Sequence, residues 1–151
     1  RMDSEDRERE LMDCLRQAMR VDGPLIETVS GYDFRTTVFP GVKFDSAPRS
    51  SEALLDWLRK DDVQNRILEM GVRYLVVVDI QTSARRSTFR ATILDSKNRV
   101  ESGKLYSDSV GTAAVNLPFL SRTEREACSS LGKAVYNFIT SEEEPAPAKP
   151  Q

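Results

Sequence analysis

"YLVVVDIQTSARRSTFRATILDSKNRVESGKLYSDS", residues 74 to 109, decides the architecture, because it reads as three β segments joined by two turns. In its first segment Tyr74, Val76, Val78 and Ile80 point one way and Leu75 and Val77 the other. Both sets are apolar, so residues 72–81 are predicted to form a strand buried on both faces, the candidate for the centre of a sheet. "TSARRS" then returns the chain into "TFRATIL", and "DSKNR" returns it into "VESGKLYSDSV". Connections this short join antiparallel neighbours, so the expected product is a meander.

Upstream, residues 50–70 carry two helical stripes, Leu54, Leu55 and Leu58, then Val63, Ile67 and Met70, divided by "KDD". Ser50 or Ser51 is the expected cap of the first helix and Asp61 or Asp62 of the second, with Gly71 as the stop signal. "LIETV" at 25–29 is β-rich and reads as one more strand. A strand, helix, strand order predicts a right-handed parallel crossover. The segment between, "SGYDFRTTVFPGVKFDSAPRS", is broken by Gly, Pro and Ser and reads as a long loop packed down by its aromatics.

Each flank supplies one helix. In residues 4–20, Leu11, Cys14, Leu15 and Ala18 fall on a single face. In the last helix Ala127, Cys128, Leu131, Ala134, Val135 and Phe138 do the same, and Thr123 with Glu126 has the spacing of a capping box. The expected fold class is therefore an α/β (α+β) sandwich: a mixed sheet of about four to five strands with one parallel β-α-β crossover and an antiparallel meander, the terminal helices packed on one face. Residues 5–140 form the domain, with a disordered start at 1–4 and a disordered acidic, Pro-rich tail at 141–151.

Composition sets bounds on function. At 151 residues one core is expected, burying roughly two-thirds of the unfolded surface. A net charge of −2 and a pI near 5.3 give no general attraction for phosphate backbones, so nucleic acid is excluded as the expected partner. The longest apolar run, "LVVV", is far short of the roughly 20 residues of a membrane-spanning helix. With no histidine, Ser-His-Asp and Cys-His catalysis and imidazole-bearing zinc sites are unavailable.

Candidate residues remain, each with a plainer reading beside it. Cys14 and Cys128 lie on matching apolar faces of helices far apart in sequence. They are either two buried reduced thiols or a disulfide; the disulfide is the expected state, closing a loop worth about 4 to 5 kcal/mol and implying an oxidising compartment. Asp79 and Asp95 offer a carboxylate pair for acid/base work or metal binding, but a strand end and a turn are places where Asp serves local hydrogen bonding, the stronger reading. Tyr32, Phe34, Phe39 and Phe44 make the long loop a candidate interaction loop, or a satellite cluster with Trp57 that anchors it. Arg85, Arg86 and Arg90 form a candidate patch for an anionic partner; on an edge hairpin such charges also discourage aggregation. No metal site, no cofactor and no catalytic residue is expected.

The stretches "YDFRTTVFPGVKFDSAPRSSEALLDWL", "VQNRILEMGVRYLVVVD", "FRATILDSKNRV" and "REACSSLGKAVYNFI" together resemble a group of uncharacterised proteobacterial lipoproteins. Those share an FR…FP…AP loop, a GVRYLV strand and an ACxxLG helix, and the likeness spans residues 10–140. More distantly, the element order is similar to the small α/β domain of the Tol-system propeller protein and of the curli-secretion lipoprotein. The resemblance implies a periplasmic or outer-membrane location and protein partners in the envelope. Membrane contact is then expected only through an N-terminal lipid anchor outside these 151 residues. The expected function is a non-catalytic envelope accessory or assembly domain. The alternatives are a ligand- or polymer-binding module using the 30–48 loop and sheet edge, and a carboxylate-dependent enzyme of unfamiliar type.

Overall fold

The computed structural model describes residues 4–19, 26–42, 48–83, 85–111 and 121–143. In chain order they form α1 (Ser4–Met19), α2 (Gly31–Val38), α3 (Ser51–Leu58), α4 (Asp61–Glu69), β1 (Tyr74–Thr82), β2 (Arg86–Asp95), β3 (Val100–Val110) and α5 (Arg122–Glu143). The meander forms as its alternation predicts. β1 pairs with β2 and β2 with β3, both antiparallel, with Val77 opposite Thr92 and Thr92 opposite Lys104. One irregularity, at Ile93/Leu94, shifts the second register.

The expected mixed sheet of four to five strands with a parallel crossover is not what folds. Among the described residues there is one three-stranded sheet in the order β1-β2-β3, without parallel strands, and the class is a small α+β fold. Of the strand expected at 25–29, Leu25 lies outside the described residues, and residues 26–30 hold no regular element. The physical reason is thin anchoring. Ile26 packs partly against the core while Glu27, Thr28 and Val29 are exposed, and one partly buried side chain does not fix a register. β1, expected at the centre, is consequently an edge strand, with Val76 exposed. β2 takes the centre, where Phe89, Ala91, Ile93 and Leu94 are fully buried.

The segment read as a long loop contains a helix. Ser30 caps α2, its Oγ accepting from the Asp33 N–H at 3.1 Å, and the Phe39 N–H closes the last turn on the Arg35 carbonyl at 3.0 Å. Elsewhere the end signals are partly as expected. Ser50 caps α3, accepting from the Ala53 N–H at 3.1 Å, and Gly71 ends the α4 unit at φ +78°. Lys60, not Asp61 or Asp62, is the residue before α4, and the two aspartates sit in its first turn where they meet the positive end of the dipole. The α5 capping box lies two residues earlier than Thr123 and Glu126. The Ser121 N–H donates to Glu124 Oε1 at 3.0 Å, and the Glu124 N–H donates to Ser121 Oγ at 3.2 Å. At its other end α5 runs to Glu143, three residues into the segment expected as tail; residues 1–3 and 144–151 lie outside the described residues.

Alternation along the strands sorts two cores. Leu75, Val77 and Leu94 meet Val38, Leu58, Val63 and Ile67 from α2, α3 and α4. Phe89 and Ala91 meet Leu11 and Leu15 of α1 and Cys128, Leu131 and Val135 of α5 on the other side. Each fully buried Leu, Ile or Phe contributes about 1.5 to 3 kcal/mol relative to exposure. The terminal helices share one face, as expected, and they run parallel. Arg125 lies 3.8 Å from Glu10, Cys128 meets Cys14, and Gly132 meets Ala18, so both numbers climb together. At Gly132 the approach is so close that a Cβ there would sit 2.5 Å from the Ala18 Cβ.

Candidate interaction face

β3 divides its residues between two environments. Towards α5, Gly103 lies under the Phe138 ring, Ser107 Oγ donates to the Ala127 carbonyl at 2.6 Å, and Ser109 Oγ donates to Glu126 Oε2 at 2.9 Å. The other side of the same strand carries Lys104, Tyr106, Asp108 and Val110. The short helices α3 and α4 cover only the end of this sheet face nearer Asp95. Beyond them, among the described residues, the face is open, with Tyr106 63% and Val110 69% exposed.

Polar pairs tile the open end. In the row Asp79, Arg90, Tyr106, Arg90 Nη2 donates to Asp79 Oδ2 at 2.9 Å. That hydrogen bond, then the Asp79 charge, raises the Arg90 pKa. In the next row Thr88 Oγ1 donates to Asp108 Oδ1 at 2.6 Å, beside Gln81. Arg86 and Arg85 are exposed at the adjoining hairpin. The three arginines of the predicted anionic-partner patch are thus brought to one end of the sheet, but Arg90 is held by Asp79. The arrangement is a mixed-charge surface around a tyrosine.

Asp79 and Asp95, weighed as a carboxylate pair, do not meet. Asp79 faces Arg90, while Asp95 faces Tyr74, five residues and roughly 17 Å along the ladder. Asp95 instead organises the β2–β3 turn. It accepts from Arg73 Nε at 2.9 Å and Nη2 at 3.1 Å, from the Lys97 and Asn98 N–H groups at 2.9 and 3.2 Å, and from Asn98 Nδ2 at 2.9 Å. Burial is the largest single influence on this carboxyl and pushes its pKa up; the hydrogen bonds from Arg73, Asn98 and Lys97, with the Arg73 charge, together outweigh it and hold it below the ordinary carboxylate value. Gln64 Nε2 donates to the Ser96 and Lys97 carbonyls at 3.0 Å. Arg99, at φ +58°, reaches the Arg59 carbonyl at 2.9 Å and Asp61 Oδ1 at 2.7 Å. These contacts bolt the turn to α3 and α4.

The aromatic loop is divided as well. Phe39 is buried, stacked edge-on against Trp57 at 5.3 Å and Phe34 at 6.3 Å, with Lys60 Nζ 4.0 Å over the Trp57 ring. Tyr32 is exposed on α2, and Phe44 lies outside the described residues. Cys14 and Cys128 are joined, their Cα atoms 6.3 Å apart. Above the bridge a groove of about 390 Å³ runs between α1 and α5, acidic along one rim at Glu10 and Asp13 and basic along the other at Arg125 and Lys133. Among the described residues no group of three or more Cys, Asp or Glu is placed to hold a metal ion, and no helix is long and apolar enough to cross a membrane.

The open end of the sheet was not singled out in the sequence. Its signal is the Lys104, Tyr106, Asp108, Val110 alternation against Leu105, Ser107 and Ser109, but which set a helix covers is a tertiary property. The fold and site define a small, disulfide-bridged α+β domain with one sheet face partly uncovered among the described residues. No family model, no curated protein and no solved structure matches the chain.

Proposed function

We propose that the protein is a non-catalytic assembly domain of the bacterial envelope that works through protein–protein contact at the open end of its sheet. The observation that carries this reading is the exposed pair Tyr106 and Val110 on one side of β3, flanked by Arg86 and the Arg90–Asp79 pair. Tyr and Arg are the residue types enriched where protein interfaces bury their centres, and a paired arginine presents its planar face at less desolvation cost than an isolated charge. Two observations support the envelope: the Cys14–Cys128 bridge, which persists in oxidising compartments, and the lipoprotein resemblance of the sequence. The loop-based ligand-binding alternative is less well supported, because Phe34 and Phe39 pack inward against Trp57 and each other.

The test is site-specific photocrosslinking in cells of the source bacterium, with the photoreactive residue at Tyr106 in the full-length protein. The expected result is a discrete adduct at Tyr106 that is absent with the same residue at Asn65 on the exposed side of α4 and is lost on Arg86→Glu. Equal labelling at both positions, or none at Tyr106 in a folded protein, overturns the interface. Fractionation of the same cells tests the compartment separately; recovery in the cytosol with both cysteines alkylatable overturns the envelope assignment.

A further inference from the structure

The two sulfurs of the bridge are not equivalent. Each Sγ lies 3.8 Å from a carbonyl oxygen of the other helix, Cys14 from Arg125 and Cys128 from Leu11, but Cys128 is fully buried under α1, whereas Cys14 is partly exposed and lines the groove between α1 and α5. Thiol–disulfide exchange needs a thiolate to reach one sulfur along the extension of the S–S bond, so access decides which sulfur is attacked. We infer that Cys14 Sγ is a thiol-exchange site, opened by a dithiol that enters the groove between α1 and α5.

The groove is suited to a small or slender entrant. Ser129 and Gln17 line it, and the close Ala18–Gly132 approach lies one helical turn beyond the bridge. Glu10 and Asp13 face Arg125 and Lys133 across it, with Glu10 and Arg125 3.8 Å apart, so its formal charges balance and an incoming thiolate meets no net repulsion. The chemistry then runs in two exchanges. The first thiolate of the dithiol bonds to Cys14 Sγ, the Cys14–Cys128 bond breaks, and its electron pair leaves with Cys128 Sγ, which takes a proton from solvent. The second thiol of the dithiol, deprotonated, displaces Cys14 as a thiolate, leaving a reduced protein and an oxidised dithiol. Leaving-group chemistry alone would favour attack on the other sulfur, because a thiolate is disfavoured in the buried Cys128 environment. Regiochemistry therefore separates access from leaving-group control.

The probe is 2-mercaptoethanol with the folded, oxidised full chain. After a brief exposure the reaction is quenched in acid, the protein is unfolded and free thiols are alkylated, and the peptides are mapped by mass. The expected product carries mercaptoethanol on Cys14 and the alkyl group on Cys128. Adducts on Cys128, or in equal amounts on both, overturn the proposal, as does an opening rate that rises with urea in proportion to the unfolded fraction. Ser129→Trp, which fills the groove, is expected to slow opening about tenfold while Ser130→Trp on the neighbouring exposed position leaves it unchanged. Equal rates in the two variants overturn the route, and the wild-type adduct map decides the case even if Ser129→Trp folds poorly.

Discussion

Replacing Gly132 with alanine tests the packing of the terminal helices. In an exposed helix interior that change stabilises by about 0.8 to 1 kcal/mol, because alanine loses less backbone entropy. Here the new Cβ would stand 2.5 Å from the Ala18 Cβ and 3.0 Å from the Leu15 carbonyl oxygen, and backbone on both helices must move. Overpacking of that kind costs about 1 to 3 kcal/mol, so Gly132→Ala is expected to lose about 1 kcal/mol net. The assay is urea unfolding with the bridge oxidised, where a slope of about 2 kcal/mol/M turns this into a midpoint drop of about 0.5 M. Ala18→Gly in the same chain removes the opposing methyl. The double variant is then expected to be more stable than the two single losses predict by about 1 kcal/mol, the coupling of residues in contact. A Gly132→Ala protein about 1 kcal/mol more stable than its parent, with additive behaviour in the double variant, would refute the close approach.

Three further outcomes follow from named contacts. Asp95→Asn is expected to cost about 1.5 to 3 kcal/mol near neutral pH, because Arg73, partly exposed, loses its carboxylate partner. Since the folded pKa of Asp95 is lowered, its contribution is present above the unfolded value near 4 and disappears as pH falls through the folded value, so urea midpoints of parent and variant should converge in strong acid. Cys14→Ser with Cys128→Ser opens a covalent loop of separation 114 and should lower stability by about 4 kcal/mol in calorimetry. Gly103→Ala puts a Cβ 2.9 Å from the Phe138 ring; a loss of about 1 to 2 kcal/mol is expected, relieved by Phe138→Leu, and a neutral result would mean that the ring is not seated on β3.

The three strands were legible because two unlike signals agreed, alternation within 74–109 and turn residues at both joints. α2 was hidden by its composition: Gly31, Thr36, Thr37 and Val38 are weak helix formers, and only Ser30 with Asp33 three residues on marks the cap. "LIETV" misled for the opposite reason, since β-rich composition says nothing about whether a ladder partner is within reach. The cysteine pair was legible from matching helix faces, and the structure joins it. The parallel course of α1 and α5 was not read, although Cys14 to Ala18 and Cys128 to Gly132 repeat the same four-residue spacing of small side chains. Nor could the exposed end of the sheet be read, because which strand residues the helices cover is decided only in the folded chain.

Because α1 and α5 run side by side in the same direction, the start of one and the end of the other lie at opposite poles, roughly 35 Å apart along the helices. A pull applied across those poles travels down α1 to Cys14, crosses the sulfur link to Cys128 and leaves along α5. Everything between the two cysteines, the sheet and its uncovered face included, is mechanically short-circuited and holds its shape under tension for as long as that link is intact.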